Sequence, residues 1–235
     1  MESFDEYAEV YDTWFLKNKN VLDSEVALLA RFLKDAGKSI SVGCGSGLFE
    51  TLLARDYGIS VQEGVEPAEG MREIAVKRGM RVRNGTAEKI DLGEEQYDTI
   101  IFNGISSYLD DLKKAYANVF RSLVPGGKLL VLDVPKESSY GLLYTLGKVT
   151  GTWDHPHFAH AAPKDIYPVD FVTAARWRST PEKIEMLKSV GFLDFEFAQT
   201  LTRHPLYSNE AKEEPVEGYD RGDYVCICAY KPKSN

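Results

Sequence analysis

Between residues 40 and 47 the chain reads Ile40-Ser41-Val42-Gly43-Cys44-Gly45-Ser46-Gly47, a short apolar run that breaks into alternating glycines. Glycine adopts left-handed backbone freely and lets a ligand approach the main chain, and a helix opening after such a loop presents free N–H groups. Alone, the loop fits a nucleoside ligand or a plain strand-to-helix turn. The dinucleotide pattern asks for a third glycine where this chain has Leu48. Glu66 then ends the next apolar run, at about the separation that sets an acidic side chain beside a bound ribose, and Pro67 fixes the turn after it. In Gly85-Thr86-Ala87-Glu88 a backbone N–H and a side-chain acceptor are suited to reading the edge of an adenine.

A second group of reactive side chains is Trp153-Asp154-His155-Pro156-His157-Phe158-Ala159-His160, which holds three of the four histidines. Their spacing matches neither a helical His pair nor a standard zinc motif, so no metal is expected. His155 and His157 are the candidates for a proton acceptor, against a solvated or structurally bonded loop. Cys226 and Cys228 share one face of a strand-like run and read, with Cys44, as buried reduced thiols.

The elements that must position these groups follow from periodicity. Asp23 to Lys34 carries apolar residues at helical spacing, with Asp23 as its expected cap. Short apolar runs then alternate with helical segments: strands at Ser39 to Val42, Ser60 to Val65 and Met80 to Val82, helices at Phe49 to Tyr57 and Glu69 to Arg78. A strand at Thr99 to Asn103, a helix from Asp110 to Leu123, the turn Pro125-Gly126-Gly127 and a strand from Lys128 to Val134 continue the rhythm of a parallel sheet with crossover helices. Residues 135–179 break it; rich in aromatics, His and Pro and without clear period, they read as an inserted lid or loop region. Thr180-Pro181-Glu182 predicts a capped helix to about Val190, and the runs Phe192 to Leu201 and Tyr224 to Tyr230 predict an antiparallel pair at the sheet edge.

Taken in order, Gly43-Cys44-Gly45-Ser46-Gly47, Val65-Glu66-Pro67 with Met71, Gly85-Thr86-Ala87-Glu88, Tyr97-Asp98 and Leu123-Val124-Pro125-Gly126-Gly127 resemble the class I S-adenosylmethionine (SAM)-dependent methyltransferases. The likeness is to the small-molecule branch that includes the ubiquinone and menaquinone biosynthesis C-methyltransferases, and it covers Tyr7 to about Val134. It implies an α/β Rossmann-like fold with a mostly parallel seven-stranded sheet in the order 3-2-1-4-5-7-6. It also implies one domain: a cap over residues 1–36, a SAM-binding core over 37–134, the lid at 135–179, and a C-terminal helix and strand pair over 180–235.

By the same resemblance, Gly43, Cys44, Gly45 and Gly47 carry the methionine end of SAM and Glu66, with Pro67, holds the ribose hydroxyls. Met71 and Ala87 flank the adenine beside Thr86, with Glu88 near its amino group. Asn103 and Gly104 would lie beside the reacting centre, and Tyr11 and Trp14 would close over the cofactor, Tyr11 being a further candidate to act on the reacting atoms. Ser41 departs from the family at the position that usually carries an acid. Asn103-Gly104-Ile105-Ser106 departs from the motif of enzymes that methylate adenine or glutamine nitrogens.

A formal charge of −8 works against a nucleic-acid partner, because phosphate recognition draws on clustered Lys and Arg. The acidic N-terminus lacks the pattern of a secretory signal, and no apolar stretch reaches the length of a membrane span, which together imply a cytoplasmic protein. The expected partner is a small-molecule methyl acceptor. A nicotinamide-dependent oxidoreductase, argued from the glycine loop and Glu66 alone, and a catalytically silent SAM-binding protein stand as the alternatives.

Overall fold

The structure is a computed structural model that describes residues 8–233, with side chains from residue 10 onward; Tyr7 lies outside the described residues. Two helices, α1 (Ala8–Lys17) and α2 (Lys19–Arg31), precede the alternating core. That core comprises β1 (Ser39–Val42), α3 (Leu48–Tyr57), β2 (Glu63–Val65), α4 (Glu69–Lys77), β3 (Arg81–Arg83), β4 (Tyr97–Asn103), α5 (Leu112–Ser122) and β5 (Leu123–Asp133). Then come α6 (Ser139–Thr150), α7 (Val169–Ala174), α8 (Thr180–Val190), β6 (Leu193–Thr200), β7 (Val216–Glu217) and β8 (Tyr224–Tyr230).

Strand order is β3-β2-β1-β4-β5-β8-β6-β7, with β1 to β5 parallel and β8 antiparallel to both β5 and β6. This is the Rossmann-like methyltransferase order with one strand added at the edge, so the sheet has eight strands rather than seven. The extra strand comes from the polar loop before β8. Gln199 Nε2 donates to Glu217 O (3.1 Å) and Asp220 Oδ1 (2.7 Å), while its Oε1 accepts from Arg221 N and Gly222 N, which draws two loop residues onto β6.

Side-chain alternation along the strands splits the core into two layers. Ile101, Leu130, Leu132, Cys226 and Cys228 face α2 and α3, whereas Ile100, Phe102, Leu129, Val131, Val225 and Ile227 face α5 and α8. The cysteines are buried and reduced. No helix of the described residues is long and apolar enough to cross a membrane.

Four local expectations are corrected. Asp23 is no cap: α2 starts four residues earlier, and Asp23 lies inside it, paired with Lys19. The C-terminal helix is capped by Ser179 rather than Thr180; Ser179 Oγ accepts from Glu182 N and Glu182 Oε2 from Ser179 N, a reciprocal box that satisfies two free donors. The helix before the Pro125-Gly126-Gly127 turn ends at Ser122, and β5 already begins at Leu123, which pairs with Tyr97. Finally, the insertion is helical. Ser138 caps α6 by accepting from Gly141 N at 3.0 Å, but Leu142 and Val149 face solvent while Tyr140 and Tyr144 are buried, so apolar residues lie on both sides and no period shows.

Candidate active site

The glycine loop joins β1 to α3 across the carboxyl ends of the strands, where ligands bind in open α/β sheets. Gly43 N and Cys44 N both donate to Val65 O, at 2.7 and 3.1 Å, so the loop is hung on the end of β2. Glu66 holds it from the other side: Oε2 accepts from Gly45 N at 3.0 Å and Oε1 from Ala68 N at 2.9 Å. Glu66 is thus buried yet lines a cavity of about 660 Å³, a volume within the ~300–1,000 Å³ typical of ligand sites.

Tyr11, Trp14, Gly43, Cys44, Gly45, Glu66, Pro67, Met71, Thr86, Ala87, Glu88, Asn103 and Gly104 all line this one cavity. Gly47 does not. It caps α3 with φ +72°, and a Cβ there would sit 2.7 Å from Met80 Sδ, so it is a turn and packing position behind the loop. Glu88 Oε1 accepts from Asp110 N, and Asn103 Oδ1 accepts from Tyr224 Oη at 2.8 Å.

Helix α1 is clamped to the loop by a buried cluster invisible in the sequence pattern. Ser46 Oγ donates to Asp12 Oδ1 at 2.5 Å, Arg78 pairs with Asp12 Oδ2 at 2.7 Å, and Arg78 Nη1 donates to Ser46 O. The clamp sets Tyr11 and Trp14 over the cavity. Trp14 Nε1 then donates to Asp165 O, and its ring meets Tyr167 edge-on at 5.0 Å, which joins the cap to the insertion.

The expected proton acceptors are not brought to this cavity. His155 lines a separate shallow surface depression and its Nδ1 accepts from His157 N at 3.2 Å, while His157 is exposed to solvent. Among the described residues no group of three or more His, Cys, Asp or Glu is placed to hold a metal ion. Of the insertion's aromatics, Tyr144, Tyr167 and Trp177 line the cavity, whereas Trp153 and Phe158 pack against each other and Tyr140 Oη bonds Ser208 Oγ.

Instead the cavity contains acids that the sequence did not single out. Asp133, at the end of β5, accepts from Ser107 Oγ (3.1 Å) and Val134 N and lies 3.7 Å from the fully buried Lys183. Burial pushes its carboxyl up, and Lys183 works against that. Glu50, on the first turn of α3, is raised by burial and lowered by the nearby Ser41 hydroxyl; its Oε2 and Ser41 Oγ nevertheless lack a well-formed hydrogen bond. Glu25, on α2, is buried and raised by burial and by Asp133. No signal in the sequence marks Glu25 or Glu50, because both fall inside ordinary amphipathic helices.

A glycine loop hung on one strand and a carboxylate just past the end of the next, at the carboxyl edge of an open α/β sheet, form a site suited to a nucleoside ligand. A methyltransferase-domain family model matches residues 40–131. An uncharacterised protein of Methanocaldococcus jannaschii is 30% identical over 231 residues, 98% of this chain and 100% of that one. The solved structure of a SAM-dependent methyltransferase of Thermotoga maritima, described as a possible histamine N-methyltransferase, is 32% identical, with a TM-score of 0.82 over 97% of this chain and 98% of that chain. The ubiquinone/menaquinone biosynthesis C-methyltransferase of Desulfotalea psychrophila is 23% identical over 168 residues, 69% of this chain and 68% of that protein.

The chain belongs to the SAM-dependent methyltransferases, and SAM is its cofactor. The residues present fit it: Thr86 Oγ1 and Glu50 Oε2 are buried cavity-wall atoms without hydrogen-bond partners, which a polar ligand would satisfy.

Proposed function

We propose that the protein transfers the methyl group of SAM to a small-molecule acceptor seated beneath the insertion of residues 135–179. One observation carries this reading: a single cavity runs from the glycine loop, Glu66 and Thr86 to Asp133, Tyr144, Tyr167 and Trp177, so a nucleoside-type site and an aromatic chamber share one space. In this reading Gly43 and Gly45 bear the methionine end, Glu66 takes the ribose hydroxyls while holding the loop, and Met71, Thr86, Ala87 and Glu88 surround the adenine. Residues 8–36 act as cap and 135–179 as cover of one domain, residues 1–7 of the expected cap lying outside the described residues.

SAM supplies a methyl group on a sulfonium, ready for in-line displacement, so the chain's work is placement and exclusion of water. Asn103, fixed by the Tyr224 hydroxyl, and Gly104 stand beside the reacting centre. Tyr11 and Trp14 shut the cavity from the α1 side. The formal charge of −8 favours a small molecule over a nucleic acid.

The test is incubation of the pure protein with methyl-labelled SAM and a fractionated cell extract, with label followed by mass spectrometry. Label in a small molecule is the expected result. Label in protein or RNA would overturn the acceptor class, and SAM binding without any transfer would favour a silent binder.

A further inference from the structure

Building on that reading, we infer that the methyl acceptor is a basic amine, which enters as an ammonium and is held by the Glu25 carboxylate inside a wall of Tyr and Trp rings. Glu25 is 6% exposed, lines the cavity, and makes no hydrogen bond or ion pair with any described residue. Two other cavity acids are answered from within the protein: Glu66 by two backbone N–H groups and Asp133 by Ser107 and Lys183. Glu50, whose Oε2 also lacks a hydrogen bond, lies on the first turn after the glycine loop, at the cofactor end of the cavity, with Arg78 nearby. A buried carboxylate without a partner is costly unless a cation arrives to pair with it or it takes up a proton.

The walls suit that cation. Tyr144 lies 5.1 Å from Trp177 and 6.0 Å from Tyr167, centroid to centroid, and Tyr11, Tyr144 and Tyr224 lie close enough to Glu25 to feel its charge. Aromatic faces attract an ammonium, and a desolvated site strengthens the attraction. An anionic acceptor finds nothing comparable: the Lys and Arg residues lining the cavity are Lys89 and Lys114, both exposed to solvent.

Glu25 also closes the chemistry. An ammonium has no lone pair, so its N–H proton passes first to the Glu25 carboxylate, leaving a neutral amine and a carboxylic acid. The amine lone pair then forms the N–C bond to the methyl carbon as the C–S bond breaks, its electron pair staying on sulfur. S-adenosylhomocysteine and an N-methylammonium result, and Glu25 returns its proton to solvent when the product leaves. Burial and the neighbouring Asp133 raise the Glu25 carboxyl, which suits it to accept that proton.

Three probes of one skeleton test the inference: phenethylamine, phenylacetate and 2-phenylethanol, titrated calorimetrically into the protein saturated with S-adenosylhomocysteine. The amine should bind at least about tenfold more tightly than the other two, the scale of a charge-assisted hydrogen bond. Glu25→Gln, close in shape, should erase that preference and leave S-adenosylhomocysteine affinity unchanged, and Glu25→Asp should restore part of it. Labelled SAM should methylate the amine at nitrogen, and Glu25→Gln should flatten the pH profile of that transfer.

Equal or tighter binding of the carboxylate or alcohol, or no binding by any probe, would overturn the inference. So would loss of S-adenosylhomocysteine affinity in Glu25→Gln, which would assign Glu25 to the cofactor's own ammonium. Failure of the native protein to bind S-adenosylhomocysteine would instead sink the underlying methyltransferase reading.

Discussion

Glu50 and Ser41 show how a family position can lose its acid while the space it served keeps one. Ser41, next to last in β1, stands where the family resemblance expects a carboxylate, and Glu50, from the first turn of α3, brings its carboxyl to the same place from the neighbouring helix. With Oε2 buried and unpartnered, Glu50 is suited to the cofactor's methionine ammonium. Glu50→Gln should therefore weaken SAM binding about tenfold by calorimetry. Glu25→Gln should not, and an equal loss in both would erase the division between cofactor and acceptor acids. Glu66→Ala should cost more, about ten- to a hundredfold in SAM affinity, because Gly45 N and Ala68 N lose their acceptor together with the ribose. His155→Ala with His157→Ala should leave the methylation rate within about twofold, since neither ring lines the cavity and solvent-exposed substitutions away from a site are close to neutral.

Helix α6 is the element on which the aromatic chamber hangs, and its seat depends on one glycine. A Cβ at Gly141 would lie 2.0 Å from Pro135 O and 2.6 Å from Lys136 O, backbone atoms that cannot swing away. Gly141→Ala should lower stability by at least ~1–3 kcal/mol, the range for forced overpacking, read as a fall in melting temperature. It should also weaken acceptor binding, because Tyr144 rides on the same helix. The elements of the parallel core were legible because each has a single period: β4 and β5 alternate between two core layers, and the glycine loop and Glu66 sit at strand ends. The insertion was not, because α6 buries Tyr140 and Tyr144 while exposing Leu142 and Val149, and its histidines cluster in sequence without converging on the cavity. The site was readable where one motif supplies a residue. It was unreadable where distant segments meet, as in the Asp12–Ser46–Arg78 clamp and the pairing of Asp133 with Lys183.

Across the whole molecule the buried acids give stability an unusual dependence on pH. Asp223 is 2% exposed, accepts from Tyr140 N at 2.7 Å, and is raised from 3.8 to about 6, first by burial and also by Glu213, against the hydrogen bonds that lower it. Its folded pKa lies above its unfolded one, so the native state binds the proton more tightly. The resulting contribution is fully present below about pH 3.8 and is lost as pH rises through about 6. A shift of that size amounts to at most ~3 kcal/mol. Glu25, Glu50 and Asp133 are raised in the same direction, and growing self-repulsion toward the formal charge of −8 adds to the trend. Asp56, Glu182 and Asp220 are lowered and act oppositely, but each is solvent-facing and screened. Denaturant titrations without ligand should therefore show unfolding free energy falling between about pH 4 and 6, where many proteins gain stability. Asp223→Asn keeps a carbonyl to accept from Tyr140 N but cannot ionise, so it should flatten the slope over that window. An unchanged slope in Asp223→Asn would move the effect to Glu25, Glu50 and Asp133, inside the cavity, and S-adenosylhomocysteine together with a bound amine should then suppress it.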